Sequence, residues 1–423
     1  MTPTTTRAAT VRAPGVVLFL AFIDIFALLP TVAPHVAELG AGPIGVGLAV
    51  GAYSATNLPA NVLGGILVDR WGRRRVTLLG LLGAAAAVLG YLFAGSVATF
   101  LLARGVHGVA GGVLIPAVFA AAGDRTQRGT TGRTFGRLGA VIGAAAVIAP
   151  AGAGVLRQAA GTEAVFVAIT VALVLGAITA YLGVHDPPHR SGSAASRSTP
   201  PDVEVVVADP CERGDALVAP TGAQPASSGV FRELLRVGVV RRALLATAVM
   251  TAAVGVLAGF LPAAAAALGA TPATVGSLFT VYAIFAAGVM LSPLAGHVDA
   301  GRADTAIAVG LITLSGALLT FVVAPNLLVA LVGAAVFGVG YGLVFPAVAA
   351  ATSSSATAAS RGRAFGLFNV AFSLGLAVAP PLTGGLVDLV PVIDPFVPVS
   401  GLALAAAAAV VGSAWARDRP ADP

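Results

Sequence analysis

Twelve apolar runs dominate this chain, each roughly twenty residues long, the length an α-helix needs to cross the hydrocarbon of a bilayer. They lie near residues 15–33, 44–67, 76–95, 98–122, 136–156, 163–184, 243–266, 273–296, 304–324, 327–350, 364–387 and 396–416. Of the 423 residues, 57% are hydrophobic and only 10% are charged, less than half the charged fraction of soluble domains. Lipid rather than water must surround most of the length. A transmembrane barrel would alternate apolar and polar residues with period two, so uninterrupted runs exclude it. The fold class is therefore all-α integral membrane with twelve transmembrane helices. The first run follows Arg7 and Arg12 as a signal peptide would, but its length and the eleven runs behind it mark a retained helix.

Every basic side chain is arginine, and most of them fall on one face: Arg70, Arg73, Arg74 and Arg75 after the second run, Arg125, Arg128 and Arg133 after the fourth, Arg361 and Arg363 after the tenth. Arg7, Arg12, Arg302, Arg417, Arg419 and the arginines of the central segment share it. Arg157 lies in an opposite loop, and Arg104 lies inside a span. The positive-inside rule makes this face, and both termini, cytoplasmic. Together with the Ala/Gly/Val/Leu-rich body, the arginine-only usage suggests a bacterial inner membrane. The net charge of +6 is thus a topology signal, and no nucleic-acid partner is expected. A single cysteine, Cys211, excludes an intramolecular disulfide and a Cys-based metal site, and neither metal nor cofactor is expected. With no lysine there is no phosphate-binding P-loop, and neither a nucleophile elbow nor a His-Glu-x-x-His pair occurs. The chain does not read as an enzyme, and any work it does must draw on an existing gradient.

The second half repeats the first at an offset near 230 residues. Leu39-Gly-Ala-Gly-Pro43 returns as Leu268-Gly-Ala-Thr-Pro272, Tyr53 as Tyr282, Asp69 as Asp299, Pro116-Ala-Val as Pro346-Ala-Val, Gly132-Arg-Thr-Phe-Gly136 as Gly362-Arg-Ala-Phe-Gly366, and Pro150 as Pro380. Two pseudo-symmetric six-helix bundles follow, 1–188 and 238–423. Parallel repeats of this kind let two halves rock about a site near the midplane. Residues 189–237 are rich in Pro, Ser, Ala and Thr and read as a disordered cytoplasmic linker. Its end, from Phe231 to Arg242, reads either as a short amphipathic helix on the inner leaflet or as an ordinary juxtamembrane basic cluster.

After the second run comes Gly65-Ile-Leu-Val-Asp69-Arg70-Trp71-Gly72-Arg73-Arg74-Arg75. It resembles the signature loop of the major facilitator superfamily, and the resemblance covers essentially the whole chain. The resemblance implies the major facilitator fold and a conformational gate formed by Gly65, Asp69, Arg70, Gly72 and Arg73. The loop would latch the cytoplasmic side when the transporter faces outward. Physically, Gly65 is expected to permit close helix contact, Asp69 to offer its charge to a helix N-terminus or an arginine, and Gly72 to make the turn. The second copy is degraded and keeps Asp299 and Arg302. Gly136, Pro150 and Gly154 are similar to a relaxed antiporter motif, with Pro380 as the repeat of the bend, which implies the twelve-helix drug:proton antiporter branch.

Asp24, in Phe22-Ile-Asp24-Ile-Phe26, is the carboxylate nearest the centre of any run, where a charge costs about 2.5–3.5 kcal/mol on insertion scales. Facing a central cavity, it could hold either a proton or a cationic substrate; the alternative is a structural aspartate capping backbone groups. Arg104 and His107, in Arg104-Gly-Val-His107-Gly108, join it as proton-coupling candidates, Arg104 acting electrostatically because guanidinium does not titrate. Tyr53, Asn57 and Asn61 recur every four residues on one helix face. They, with Tyr282, Tyr341, Phe345, Asn369 and Ser373 from the other half, are the substrate-lining candidates. The expected function is proton-coupled export of lipophilic or cationic small molecules by a monomer in the bilayer. Alternatives are a transporter of sugars, metabolites or amphipathic lipids in which Arg104 binds an anionic group, and a transport-inactive sensor or assembly factor on the same fold.

Overall fold

A computed structural model describes residues 4–124, 131–186, 235–292, 303–355 and 361–418. The expected linker and its amphipathic end up to residue 234 lie outside these, as do Asp299 and Arg302.

Helices α1 (Thr4–Ala27), α2 (Val32–Glu38), α3 (Pro43–Trp71), α4 (Arg73–Gly90), α5 (Val97–Gly123) and α6 (Thr131–Gly183) build the first half. The second contains α7 (Gly238–Ala267), α8 (Pro272–Leu291), α9 (Ala303–Val322), α10 (Leu327–Ser354), α11 (Arg361–Leu389) and α12 (Phe396–Asp418). Twelve long helical segments result among the described residues, because α2 is a one-and-a-half-turn extension of α1 while α6 contains two segments. The stretch Gly136–Gly183 is 48 residues long and strongly hydrophobic. At 1.5 Å per residue it would measure about 72 Å, more than twice a bilayer core, so it has to fold back. It does so at Gly161, whose φ of 84° suits a residue without Cβ. The break and the C-terminal end of α6 meet different neighbours: Arg157, near the break, pairs with Glu38 on α2 at 2.6 Å, whereas Arg74 at the start of α4 lies 4.2 Å over the ring of Tyr181.

The first span is not the single helix that its hydropathy suggests. α1 ends at Ala27 and α2 departs at 45°, because Pro30 and Pro34 withhold two N–H donors and break the turn. α3 is long enough to cross but is not among the helices apolar enough to qualify as spans by composition, and Tyr53, Asn57 and Asn61 occupy its middle.

Each half has its own apolar core, one running from Val17 to Val184 and the other from Ala243 to Val410. The duplication seen in sequence is exact enough to repeat individual close approaches. A Cβ on Gly108 would sit 2.2 Å from the Tyr53 carbonyl oxygen, and one on Gly338 would sit 2.4 Å from that of Tyr282. Gly80 meets Leu114 as Gly310 meets Val344. Gly40 and Gly269 share the same left-handed φ, 89° and 82°, at the turn before α3 and α8.

Arg242, the last residue of the basic segment, belongs to the first turn and a half of α7, and it makes a two-pronged pair with Asp304 of α9 at 3.1 and 3.0 Å. Asp304 stands in the first turn of α9, where the helix dipole favours an acid.

Close backbone contact at Gly108 predicts that Gly108→Val lowers the melting temperature in detergent, overpacking costing about 1–3 kcal/mol. Gly143→Ala, with nothing within 4 Å of the added Cβ, is expected to be neutral or to stabilise by up to about 1 kcal/mol. Equal melts for the two variants would contradict this packing.

Candidate functional site

The break after Ala27 leaves Asp24 in the last turn of α1, where the helix dipole is unfavourable to a carboxylate. Burial adds to the cost, since Asp24 is 3% exposed. The compensation comes from α5: His107, fully buried, brings its Nε2 to 2.8 Å from Asp24 Oδ2. His107 Nδ1 lies 2.8 Å from the hydroxyl of Tyr91, which closes α4 in a 3-10 turn. Arg104 completes the group, donating from Nη1 to the Tyr91 oxygen at 3.3 Å and from Nε to the Ala49 carbonyl on α3 at 3.2 Å. Its guanidinium also lies 5.1 Å from the centre of the Tyr53 ring.

Arg104 can only donate, so the Tyr91 oxygen accepts its hydrogen bond. Tyr91 and Asp24 then hold the two imidazole nitrogens of His107. The other carboxylate oxygen, Oδ1, is buried and has no hydrogen-bond partner among the described residues.

Asp24, Arg104, His107 and Tyr53 thus come together, with Asp24 bonded directly to His107 rather than to Arg104. Tyr91 is the member that sequence reasoning missed. One of five tyrosines, it falls at a helix end, where an aromatic reads as packing. Asn57 and Asn61 are half-buried and bond to each other, Asn61 Nδ2 donating to Asn57 Oδ1 at 2.7 Å.

The second half presents aromatics in place of charge. Tyr282 meets Phe337 edge-on at 5.2 Å, as Tyr53 meets His107 at 5.0 Å, so Phe337 occupies the repeat position of the histidine. Tyr341 and Phe345 continue the row, stacked at 5.7 Å, and Phe345 reaches Phe368. Ser373 is half-buried and Asn369 is exposed, and neither joins the row.

The arginine-rich end carries the signature loop. Gly72 makes the turn, with φ 85°. The acid at the N-terminus of α4 is Asp186, which accepts from the backbone N–H groups of Arg73 at 2.5 Å and Arg74 at 3.2 Å, and the partner of the Arg73 side chain is Asp124 at 2.8 Å. Asp69 and Arg70 are exposed and without hydrogen-bond partners among the described residues. Close contact with α5 is made by Gly64, whose Cβ would lie 2.9 Å from Val113, whereas Gly65 faces open space. Gly136 also meets nothing within 4 Å, but Pro150, Gly154 and Pro380 all lie where the two halves touch.

Residues 15–255 and 243–423 match the family model of the Major Facilitator Superfamily, and the chain belongs to that family. It is similar to the quinolone resistance protein NorA of Staphylococcus aureus, 21% identical over 183 residues, which is 43% of this chain and 47% of that protein. It is also similar to multidrug resistance protein 1 of Bacillus subtilis, 28% identical over 170 residues, 40% of this chain and 43% of that one. The chain spans less than half the length of these relatives. Among solved structures, a bacterial homolog of the human lysosomal transporter Spinster, in an inward-facing and unoccupied conformation, shares the fold at TM-score 0.75 and 16% identity, covering 99% of this chain and 100% of that one. A human organic anion transporter does so at TM-score 0.64 and 17% identity, over 97% and 100%. The protein is thus a multi-pass membrane protein with a transporter fold.

The buried pair predicts a non-additive pattern. His107→Phe, which copies Phe337, should destabilise by about 3–5 kcal/mol by leaving the Asp24 charge unanswered. Asp24→Val with His107→Phe, which reproduces Val254 and Phe337 of the other half, should recover most of that loss. Melting curves of the two single variants and the double variant check it; additive losses would refute the pairing.

Proposed function

We propose that this protein is a proton-coupled exporter of lipophilic, cationic small molecules, working by alternating access as a monomer in a bacterial inner membrane with both termini cytoplasmic. The halves 1–188 and 238–423 would rock against each other, joined by 189–237. One observation carries the reading: Asp24 is buried, one oxygen is held by His107, and the other is unpartnered among the described residues. A carboxylate so held accepts a proton or a cationic substrate at the same atom, which makes the two compete. Competition at one site is what antiport requires. Each elementary charge moved across 100 mV supplies about 2.3 kcal/mol.

The aromatic row of Tyr282, Tyr341 and Phe345 offers apolar and π surface from the other half, suited to flat hydrophobic cations. Drug resistance in the names of the two distant bacterial relatives supports export of such compounds. Contacts between halves cluster at the end carrying residues 39–43, while Asp69, Arg70 and Gly136 at the arginine-rich end are exposed. With that end cytoplasmic, this is an inward-facing state, in keeping with the solved Spinster homolog. The reading in which Arg104 binds an anionic substrate has less support, because two of its donors are committed to Tyr91 and Ala49.

Purified protein in liposomes, with the fluorescent lipophilic cation ethidium, tests the proposal. An imposed pH gradient should drive ethidium movement, with protons moving in the opposite sense. Asp24→Asn should reduce the driven flux at least about tenfold, the scale of losing one titrating group from the coupling step. Retained coupled flux in Asp24→Asn would overturn the assignment.

A further inference from the structure

At the end carrying residues 39–43, the two halves meet along two interfaces that are copies of each other. In one, α3 lies on α11: a Cβ on Gly47 would sit 2.2 Å from the Pro380 carbonyl oxygen, and one on Gly384 would sit 2.2 Å from that of Pro43. In the other, α8 lies on α6: Gly276 stands 2.3 Å from the Pro150 oxygen by the same measure, and Gly154 stands 2.5 Å from that of Pro272. Each glycine of one interface has its counterpart in the other, 229 or 230 positions away.

The same symmetry extends to a pair of side chains. Asp388 Oδ2 accepts the N–H of Ile44 at 3.0 Å, and Gln158 Oε1 accepts the N–H of Ala273 at 3.3 Å. Position 388 is the repeat of 158, and Ile44 that of Ala273. Both receiving helices begin with proline, at Pro43 and Pro272, so the capped groups are the first N–H groups these helices possess. The two caps are unequal. α8 has its own N-cap, Thr271, which accepts from Thr274 N at 3.3 Å. α3 begins after Gly42, which has no side chain to cap with, so the side-chain cap of α3 comes entirely from the opposite half. Asp388 adds a formal charge at the positive end of the α3 dipole.

We infer that Asp388 and Gln158 are reciprocal caps that lock the two halves together at this end, with Gly47, Gly154, Gly276 and Gly384 as the seats that let the backbones meet, and that Asp388 is the stronger of the two. Opening this end strips α3 of its side-chain cap while α8 keeps Thr271. The lock also touches the ionisable network, because Ala49, whose carbonyl takes the Arg104 hydrogen bond, lies between Gly47 and Gly51 on the clasped segment. The inference rests on the halves rocking apart, not on Asp24 carrying the proton.

Spin labels at Ala37→Cys and Val392→Cys, exposed positions on the two halves, report the separation when placed in a Cys211→Ser chain in lipid nanodiscs. Without substrate or gradient, Asp388→Leu should raise the ratio of separated to closed molecules roughly fivefold, the effect of losing one helix cap. Asp388→Asn, which still presents an acceptor, should keep most of the closed population. Gln158→Leu should move it less than Asp388→Leu, and the double variant more than either. Should the Asp388 variants not fold, Gly47→Val in the same labelled chain is expected to widen the distance by pushing on Pro380. An unchanged distance distribution in Asp388→Leu and the double variant, or in Gly47→Val where the former do not fold, overturns the lock. Because distances are read apart from flux, that result leaves the Asp24 assignment standing, and retained coupled flux in Asp24→Asn leaves the lock standing.

Discussion

In lipid, helices gain little from hiding apolar surface from each other, so association depends on how closely two backbones can approach. Glycine sets that limit throughout this protein. Gly108 and Gly112 seat α5 on α3, Gly338 and Gly342 seat α10 on α8, and between the two halves Gly47, Gly154, Gly276 and Gly384 each admit a carbonyl that any Cβ would collide with. The site depends on this arrangement as well. With α3 drawn against α5, Tyr53 lies beside His107 and the Ala49 carbonyl comes within reach of Arg104.

Duplication gave the two halves one scaffold, and their side chains then diverged. The first half carries the hydrogen-bonded chain Asp24, His107, Tyr91 and Arg104. At the matching positions the second half has Val254 and Phe337, and it extends its aromatic row to Tyr341 and Phe345. A charge in a membrane interior is costly, and a cluster of charges is tolerable only when every member is paired. One half holding the charge and the other the apolar surface meets that constraint with a single desolvated acid. In the proposed exporter, one half would bind the proton and the other the body of the substrate.

The arginine-rich end shows the same division between common scaffold and local solution. In the first half Asp186 caps α4 and Asp124 holds Arg73, leaving Asp69 and Arg70 of the signature loop exposed. In the second, Arg242 grips Asp304. These pairs tie helices within a half, whereas Asp388 and Gln158 tie one half to the other. A rocking protein needs both kinds, since each half has to stay rigid while the contacts between them change.

Run length and composition alone determined that the chain is a helical membrane protein, because hydrocarbon leaves backbone polar groups no partner outside a helix or a barrel. The fixed offset of repeated motifs determined two related halves, and the scarcity of acids inside the runs singled out Asp24. Tertiary structure decided what short-range pattern cannot encode. His107 is the partner of Asp24 although 83 residues separate them, because the break after Ala27 and the close seating of α5 bring the two side chains together. Tyr91 joined the network through the 3-10 turn at the end of α4, a turn that hydropathy does not register. The role of Gly64 in place of Gly65 depended on which side of α3 faces α5, and the caps from Asp388 and Gln158 depended on which helix ends meet across the halves. A local window reports how polar a residue is; only the packed backbone fixes which atom lies opposite it.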